Sequence, residues 1–219
     1  MSSPADAASL SGTVTPYHRH VFVCTGPAAW PARLEEADGL LGRMARDVHA
    51  RREGPGAWPK LSATDEPSAG AGLDLLVFPD RVRYHGVDES AWEAILQDQL
   101  EGAGVCPSAR STPLSGCHVF VCIHGARDER CGKCGPPLLA AFRDAVGEAG
   151  DVTVRATSHV GGHKYAANVL VYPAGAWYGY ATPADAPRIL AHHLDGGPQP
   201  TELLRGTMLP LPALSGVIS

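Results

Sequence analysis

Apolar residues in this chain gather into short β-branched and aromatic runs that alternate with longer stretches of helical spacing, and the alternation runs twice. The run HVFVC occurs at His20–Cys24 and again at His118–Cys122, each ending at a loop, which predicts buried strands. After the first copy come a Pro/Gly loop and a helical stretch from Trp30 to Arg52. Strands are expected at Leu73–Phe78 and Arg81–Gly86, joined by a turn at Pro79-Asp80. Asp88 then caps a helix whose apolar face is Trp92, Ile95, Leu96 and Leu100.

The second cycle repeats this order. A strand at Cys117–Ile123 leads into a Gly-rich loop, and a helix follows with Leu138, Ala141, Phe142, Ala145 and Val146 on one face. Gly147 and Gly150 end it. Further strands are expected at Asp151–Thr157, Asn168–Tyr172 and Trp177–Ala181, the last two forming a hairpin over Pro173–Gly175. Asp185 caps a final helix carrying Ile189, Leu190, His193 and Leu194, with Pro187 in its first turn, where a missing N–H costs nothing. This β-α-β-β-β-α order predicts an α/β fold of the thioredoxin-like pattern, with the first copy as a shorter relative of the second. The expected organisation is a disordered lead-in (1–16), an N-terminal half (17–104), a linker (105–116), a C-terminal half (117–195) and an extended tail (196–219) with four prolines.

Composition narrows the possible roles. The chain has 219 residues, an apolar share of 44% and a net charge of −5, so it can build a core and shows no basic surface for nucleic acid or anionic lipid. No apolar run approaches the ~20 residues of a membrane span. The first residues lack the order of a signal peptide, and a cytoplasmic protein is the expectation. Six cysteines in such a compartment point away from a disulfide framework, and four of them crowd between Cys117 and Cys134.

Two stretches carry the candidate chemistry: Cys122-Ile-His-Gly-Ala-Arg-Asp-Glu-Arg-Cys131-Gly-Lys-Cys134 and Ser158-His159-Val-Gly-Gly-His163. Both fall where strands run out into loops, the usual place for sites in open α/β sheets. The Gly-Gly between the histidines predicts a tight loop able to aim both rings at one point. Three arrangements compete. One is a 2Fe–2S cluster on two Cys and two His. Another is zinc on Cys131, Cys134, His159 and His163, although the 24 residues between the two pairs exceed the ~12–15 of a finger. The third is a Cys131/Cys134 dithiol at a helix N-terminus, which leaves the histidines without a role.

The spacing Cys122, eight residues, Cys131-Gly, followed by His159-x-Gly-Gly-His163 within SHVGGHKYAANVLVYP, resembles the sucrase/ferredoxin-like family. TGPAAWP at Thr25–Pro31 also resembles that family's N-terminal half, so the likeness covers roughly residues 17–206. It implies a thioredoxin-like ferredoxin whose 2Fe–2S cluster is held by Cys122, Cys131, His159 and His163, with Cys134 as a near neighbour. It further implies an electron carrier, rather than a stand-alone enzyme, that serves a redox partner protein. Arg127, Arg130 and Lys164 lie beside those positions and are expected to offset cluster charge, while Asn168 is expected to fix the loop through its amide. His118 and His124 receive no role. The first copy keeps Cys24 but has no second histidine motif, so it is expected to hold no cluster. Edge strands of the two halves offer a route to a homodimer.

Overall fold

The computed structural model describes residues 10–27, 29–51, 59–101, 104–147 and 150–211. The N-terminal half runs β1 (His20–Cys24), α1 (Gly39–Ala50), β2 (Lys60–Thr64), β3 (Leu73–Phe78), β4 (Val82–Val87), α2 (Glu89–Glu101) and β5 (Ser111–Pro113). The C-terminal half runs β6 (Cys117–Cys122), α3 (Glu129–Val146), β7 (Val152–Thr157), β8 (Val169–Tyr172), β9 (Ala176–Tyr178), α4 (Ala186–Asp195) and β10 (Leu204–Thr207). In each half the first strand pairs parallel with the second and antiparallel with the third, and a hairpin extends the sheet outward. The protein is thus α/β, with two thioredoxin-like halves in the order β10-β9-β8-β6-β7-β2-β1-β3-β4-β5.

Within the sheet the strands of the two halves pair at one position, Thr64 opposite Thr157. Here the hydrogen bonds are reciprocal. Thr64 Oγ1 donates to the Ala156 carbonyl (2.8 Å) and Thr157 Oγ1 donates to the Ala63 carbonyl (2.9 Å). Asp65 accepts from the Ala156 N–H and Ser158 Oγ accepts from the Ala63 N–H, both at 2.9 Å. This two-fold exchange relates the halves far more securely than a five-residue repeat does.

Period-two alternation then sorts the side chains. Val21, Val23, Leu75 and Val77 face α1 and α2, while Val119, Val121, Val169 and Val171 face α3 and α4. The alternate residues Phe22, Cys24, Phe78, Phe120, Cys122 and Tyr172 form a third core between the halves. Strands β1 and β6 are separated in the sheet by β2 and β7, which in a flat sheet would set them ~14 Å apart. Phe22 and Phe120 nevertheless stack at 3.7 Å. The sheet therefore folds sharply at the Thr64–Thr157 pair and closes on itself. Within that seam Trp177 Nε1–H donates to Tyr17 Oη (2.6 Å), which shares a hydrogen bond with Tyr172 Oη (2.9 Å). His20 continues the chain to Ser62 Oγ.

Several expectations change. Strand β2 (KLSAT) was hidden because its buried face carries Ser62 and Thr64 rather than a hydrophobic run. The first helix starts at Gly39, after a 3-10 turn at Leu34–Glu36, since Pro31 disfavours helical backbone at Trp30. Trp30 is buried in the preceding loop and donates its indole N–H to Thr25. Helix α3 reaches back to Glu129 and absorbs most of the Gly-rich loop, with Pro136 and Pro137 inside it. Its Ala145 and the Leu194 of α4 are exposed rather than packed.

The linker contains β5, paired with β4, and a buried Cys106. The tail contains β10, paired with β9, and a buried Arg205. Residues 10–16 are anchored rather than disordered, with Leu10 buried and the Thr13 N–H bonded to the Arg205 carbonyl. Residues 1–9, Arg52, the Leu100 side chain and residues 212–219 lie outside the described residues. Among the described residues, no helix is long and apolar enough to cross a membrane.

Phe120→Ala removes half of the central stack, and we expect a loss of about 3–5 kcal/mol, read by urea denaturation as one cooperative transition spanning both halves. His118, at the seam, accepts from Arg155 Nη1 (2.9 Å), and burial with that guanidinium pushes its imidazole down to about 4. The unfolded residue titrates near ~6.5. Its neutral form therefore contributes stability that is present above pH ~6.5 and is lost as pH falls through about 4. Melting temperatures from pH 7 to pH 4 should fall less steeply in His118→Gln than in the wild type.

Candidate metal centre

Cys122 ends β6, Cys131 is the third residue of α3, and His159 follows β7 by two residues. These elements are neighbours: β6 pairs with β7, and α3 packs on both. Donor atoms of Cys122, Cys131 and His159 consequently lie within 4.8 Å of one another. Both cysteines are fully buried. His163, in the 3-10 turn His163–Tyr165, stands beside them with its ring centroid 5.4 Å from that of His159. It lies outside the three-residue group, its side chain is 46% exposed, and its Nε2 is 3.9 Å from the Asp128 carboxylate.

The thiols of Cys122 and Cys131 are hydrogen-bonded to each other. The Cys131 hydrogen bond, with further N–H donors from His124 and Val160, draws the Cys122 thiol below its ordinary range despite burial. The same contact holds the proton on Cys131 and pushes that thiol up. Cys134 is exposed a helical turn beyond Cys131 and is not a member of the three-residue group. The buried dithiol is thus Cys122 with Cys131.

Nδ1 of His159 is buried without a hydrogen-bond partner among the described residues. Buried polar atoms are normally satisfied, and the His159 ring also offers a nitrogen within reach of the two thiols, which is the donor chemistry of a metal-binding imidazole. The donor set suits zinc or an iron–sulfur cluster, and the site therefore fits a Cys/His-bound metal group.

The surroundings hold these donors in place. His124 accepts the His159 N–H at Nδ1 (3.0 Å) and donates from Nε2 to the Trp30 carbonyl (3.3 Å), so its neutral tautomer links the loop after β7 to the loop after β1. Burial lowers its basicity, which favours that neutral form. Asp128 caps α3 by accepting from the Arg130 N–H (3.0 Å). The Arg130 guanidinium beside Asp128 holds that carboxyl well below the usual range.

Asn168 donates from Nδ2 to the Gly162 carbonyl (3.0 Å) and accepts from Arg205 Nη1 (2.7 Å). Gly162 is in the left-handed region at φ 72°, and a Cβ there would strike the Arg205 guanidinium. Gly135 lets α3 approach β6 so closely that a Cβ would meet the Cys122 carbonyl. Lys164 turns toward the Tyr165 ring, 4.8 Å from its centroid, and Arg127 is an exposed wall of the cavity beside His124 and His159.

Of the residues singled out in the sequence, Cys122, Cys131 and His159 converge, with His163 adjacent and Asn168 bracing the loop. Arg130 is committed to Asp128, and Lys164 lies against the Tyr165 ring. Sequence reasoning passed over His124, Asp128 and Arg205. An Asp at the head of a helix is an N-cap signal that would have marked Asp128. No local pattern marks Arg205, which meets Asn168 across 37 residues.

Fold and site together define a class: a pair of thioredoxin-like halves of which the second carries a buried Cys/His donor centre. Comparison with known sequences gives the finer assignment, since the sucrase/ferredoxin-like family profile matches residues 10–206. The chain belongs to the sucrase/ferredoxin-like family. Among its relatives is altered inheritance of mitochondria protein 32 of Candida glabrata, 34% identical, covering 83% of this chain and 76% of the relative. The Kluyveromyces lactis protein of the same name is 27% identical over 75% of this chain and 62% of its own length. The Debaryomyces hansenii protein is 39% identical over 40% of this chain. The chain thus spans 34% and 62% of the D. hansenii and K. lactis relatives it matches. A solved thioredoxin-like [2Fe-2S] ferredoxin from Aquifex aeolicus overlaps 44% of this chain and 96% of its own, with 24% identity and a TM-score of 0.40.

Gly135→Ala forces α3 away from β6. We expect a loss of about 1–3 kcal/mol in denaturant unfolding.

Proposed function

We propose that this protein transfers single electrons and holds a 2Fe–2S cluster with Cys122, Cys131, His159 and His163. One observation carries the reading: two buried thiols and an imidazole bring their donor atoms within 4.8 Å of one another, and the imidazole keeps an unpartnered buried nitrogen. The family assignment supports it. A bound cluster would supply a store for one electron at a time.

The chain's own residues set the conditions. N–H groups of His124 and Val160 aimed at Cys122 favour its thiolate, and the N-terminal end of α3 favours negative charge near Cys131. His163 is half exposed and faces Asp128, so a proton on its Nε2 can exchange with solvent beside a carboxylate. Two imidazoles in place of two thiolates make the centre less negative and raise its potential. Rieske centres at about −150 to +300 mV, against plant-type ferredoxins near about −400 mV, show the direction.

Six free cysteines suit a reducing compartment such as the cytoplasm. The relatives are named for inheritance of mitochondria, and from that name we carry over the expectation that the protein redox partner serves mitochondrial upkeep.

Anaerobically purified protein should be reddish brown, with on the order of 2 Fe and 2 sulfide per chain. Its midpoint potential should fall as pH rises from 6 to 10, and His163→Cys should lower the potential and flatten that response. A colourless protein with one zinc would leave the donor residues in place and remove electron transfer. A potential independent of pH would remove the histidines from the centre.

A further inference from the structure

Beside the His159–His163 loop lies a cavity of about 340 Å³ that the proposed electron transfer does not use. Its wall includes Lys60, Lys164 and Arg205, the rings of Tyr165 and Trp177, and the backbone of Gly161 and Gly162. Among the described residues, no carboxylate lines it.

The central cation is Arg205. It is 2% exposed, and its hydrogen bonds go to neutral acceptors: Thr13 Oγ1 and carbonyl (3.1 and 2.9 Å), the Gly161 carbonyl (3.4 Å) and Asn168 Oδ1 (2.7 Å). Its guanidinium lies 4.6 Å from the Tyr165 centroid and 5.5 Å from that of Trp177. The Lys60 ammonium sits 5.3 Å from the same Trp177 ring, and Lys164 flanks Tyr165. Aromatic faces attract cations but do not neutralise them. A buried guanidinium is costly without a counter-charge, and burial lowers its pKa to about 10, which leaves it charged at neutral pH. The residues therefore form a positive, partly aromatic concavity of the size that takes small molecules.

We propose that this cavity binds a small organic anion carrying two or more oxyanion groups, seated between Lys60 and Lys164, with Arg205 as the buried positive charge in its wall. Carboxylates and phosphates share the required chemistry, since both accept charge-assisted hydrogen bonds from lysine and arginine. The site uses none of Cys122, Cys131, His159 or His163, so it stands independently of the metal reading.

Isothermal titration calorimetry of the full chain, as purified and again without metal, would use succinate and 3-phosphoglycerate as probes. Sodium chloride at equal ionic strength is the reference. Saturable binding of one anion per chain is expected for at least one probe, whether or not the centre is loaded. Succinate alone would assign a carboxylate ligand, and 3-phosphoglycerate alone a phosphate ligand. Lys60→Gln and Lys164→Gln should each weaken binding at least tenfold, while Lys133→Gln, outside the cavity on exposed α3, should leave it unchanged. Heats no different from chloride, or full affinity in the two cavity variants, would overturn the proposal. Should one variant fail to fold, the other decides.

Discussion

Everything at the candidate centre hangs from the short exchange of hydrogen bonds at Thr64 and Thr157. Four side chains, Thr64, Asp65, Thr157 and Ser158, each bond to the backbone of the opposite half. They lock the two halves of a sheet whose strands pair across the seam at a single position. Because the lock lies at the strand ends, it folds the sheet and brings the alternate faces of β1, β3, β6 and β8 together as one aromatic core. It also fixes the starting point of the histidine loop, since Ser158 is tied to Ala63 through both its hydroxyl and its N–H. The half without the His-x-Gly-Gly-His motif is therefore part of the support of the centre.

That division of labour shows in one pair of equivalent residues. Cys24 and Cys122 end corresponding strands and face the same seam. Burial pushes the Cys24 thiol up to about 12, while Cys131 and two backbone N–H groups draw the Cys122 thiol down. The difference lies in the segment next along the chain. After β6 the backbone turns into a helix whose first turn supplies a second thiol. After β1 it passes through a proline-bounded loop that buries Trp30 and meets His124.

Strands and helices with strong apolar spacing were legible in the sequence, as was the C-terminal order β-α-β-β-β-α. The convergence of Cys122, Cys131 and His159 was legible because these residues, like His163 beside them, sit at ends of recognisable strands around glycines. The elements that stayed hidden share one property, dependence on partners distant in sequence. Strand β2 is polar on its seam side because Ser62 and Thr64 answer His20 and Ala156. Strands β5 and β10 are short edge strands stabilised by the hairpins they extend. The early start of α3 runs against glycine and proline propensity, and it is stabilised by the Asp128 cap and by close packing on β6.

The bond from Arg205 to Asn168 has a further consequence in time. A nascent chain emerging from the ribosome completes both cysteines and both histidines well before β10. Until residue 205 is available, Asn168 and Gly161 lack the guanidinium that pins them, and residues 13–15 have no final strand to settle against. Order in the loop from Gly161 to Asn168 is thereby tied to β10, and a chain cut before residue 205 would keep Cys122, Cys131, His159 and His163 without that clamp.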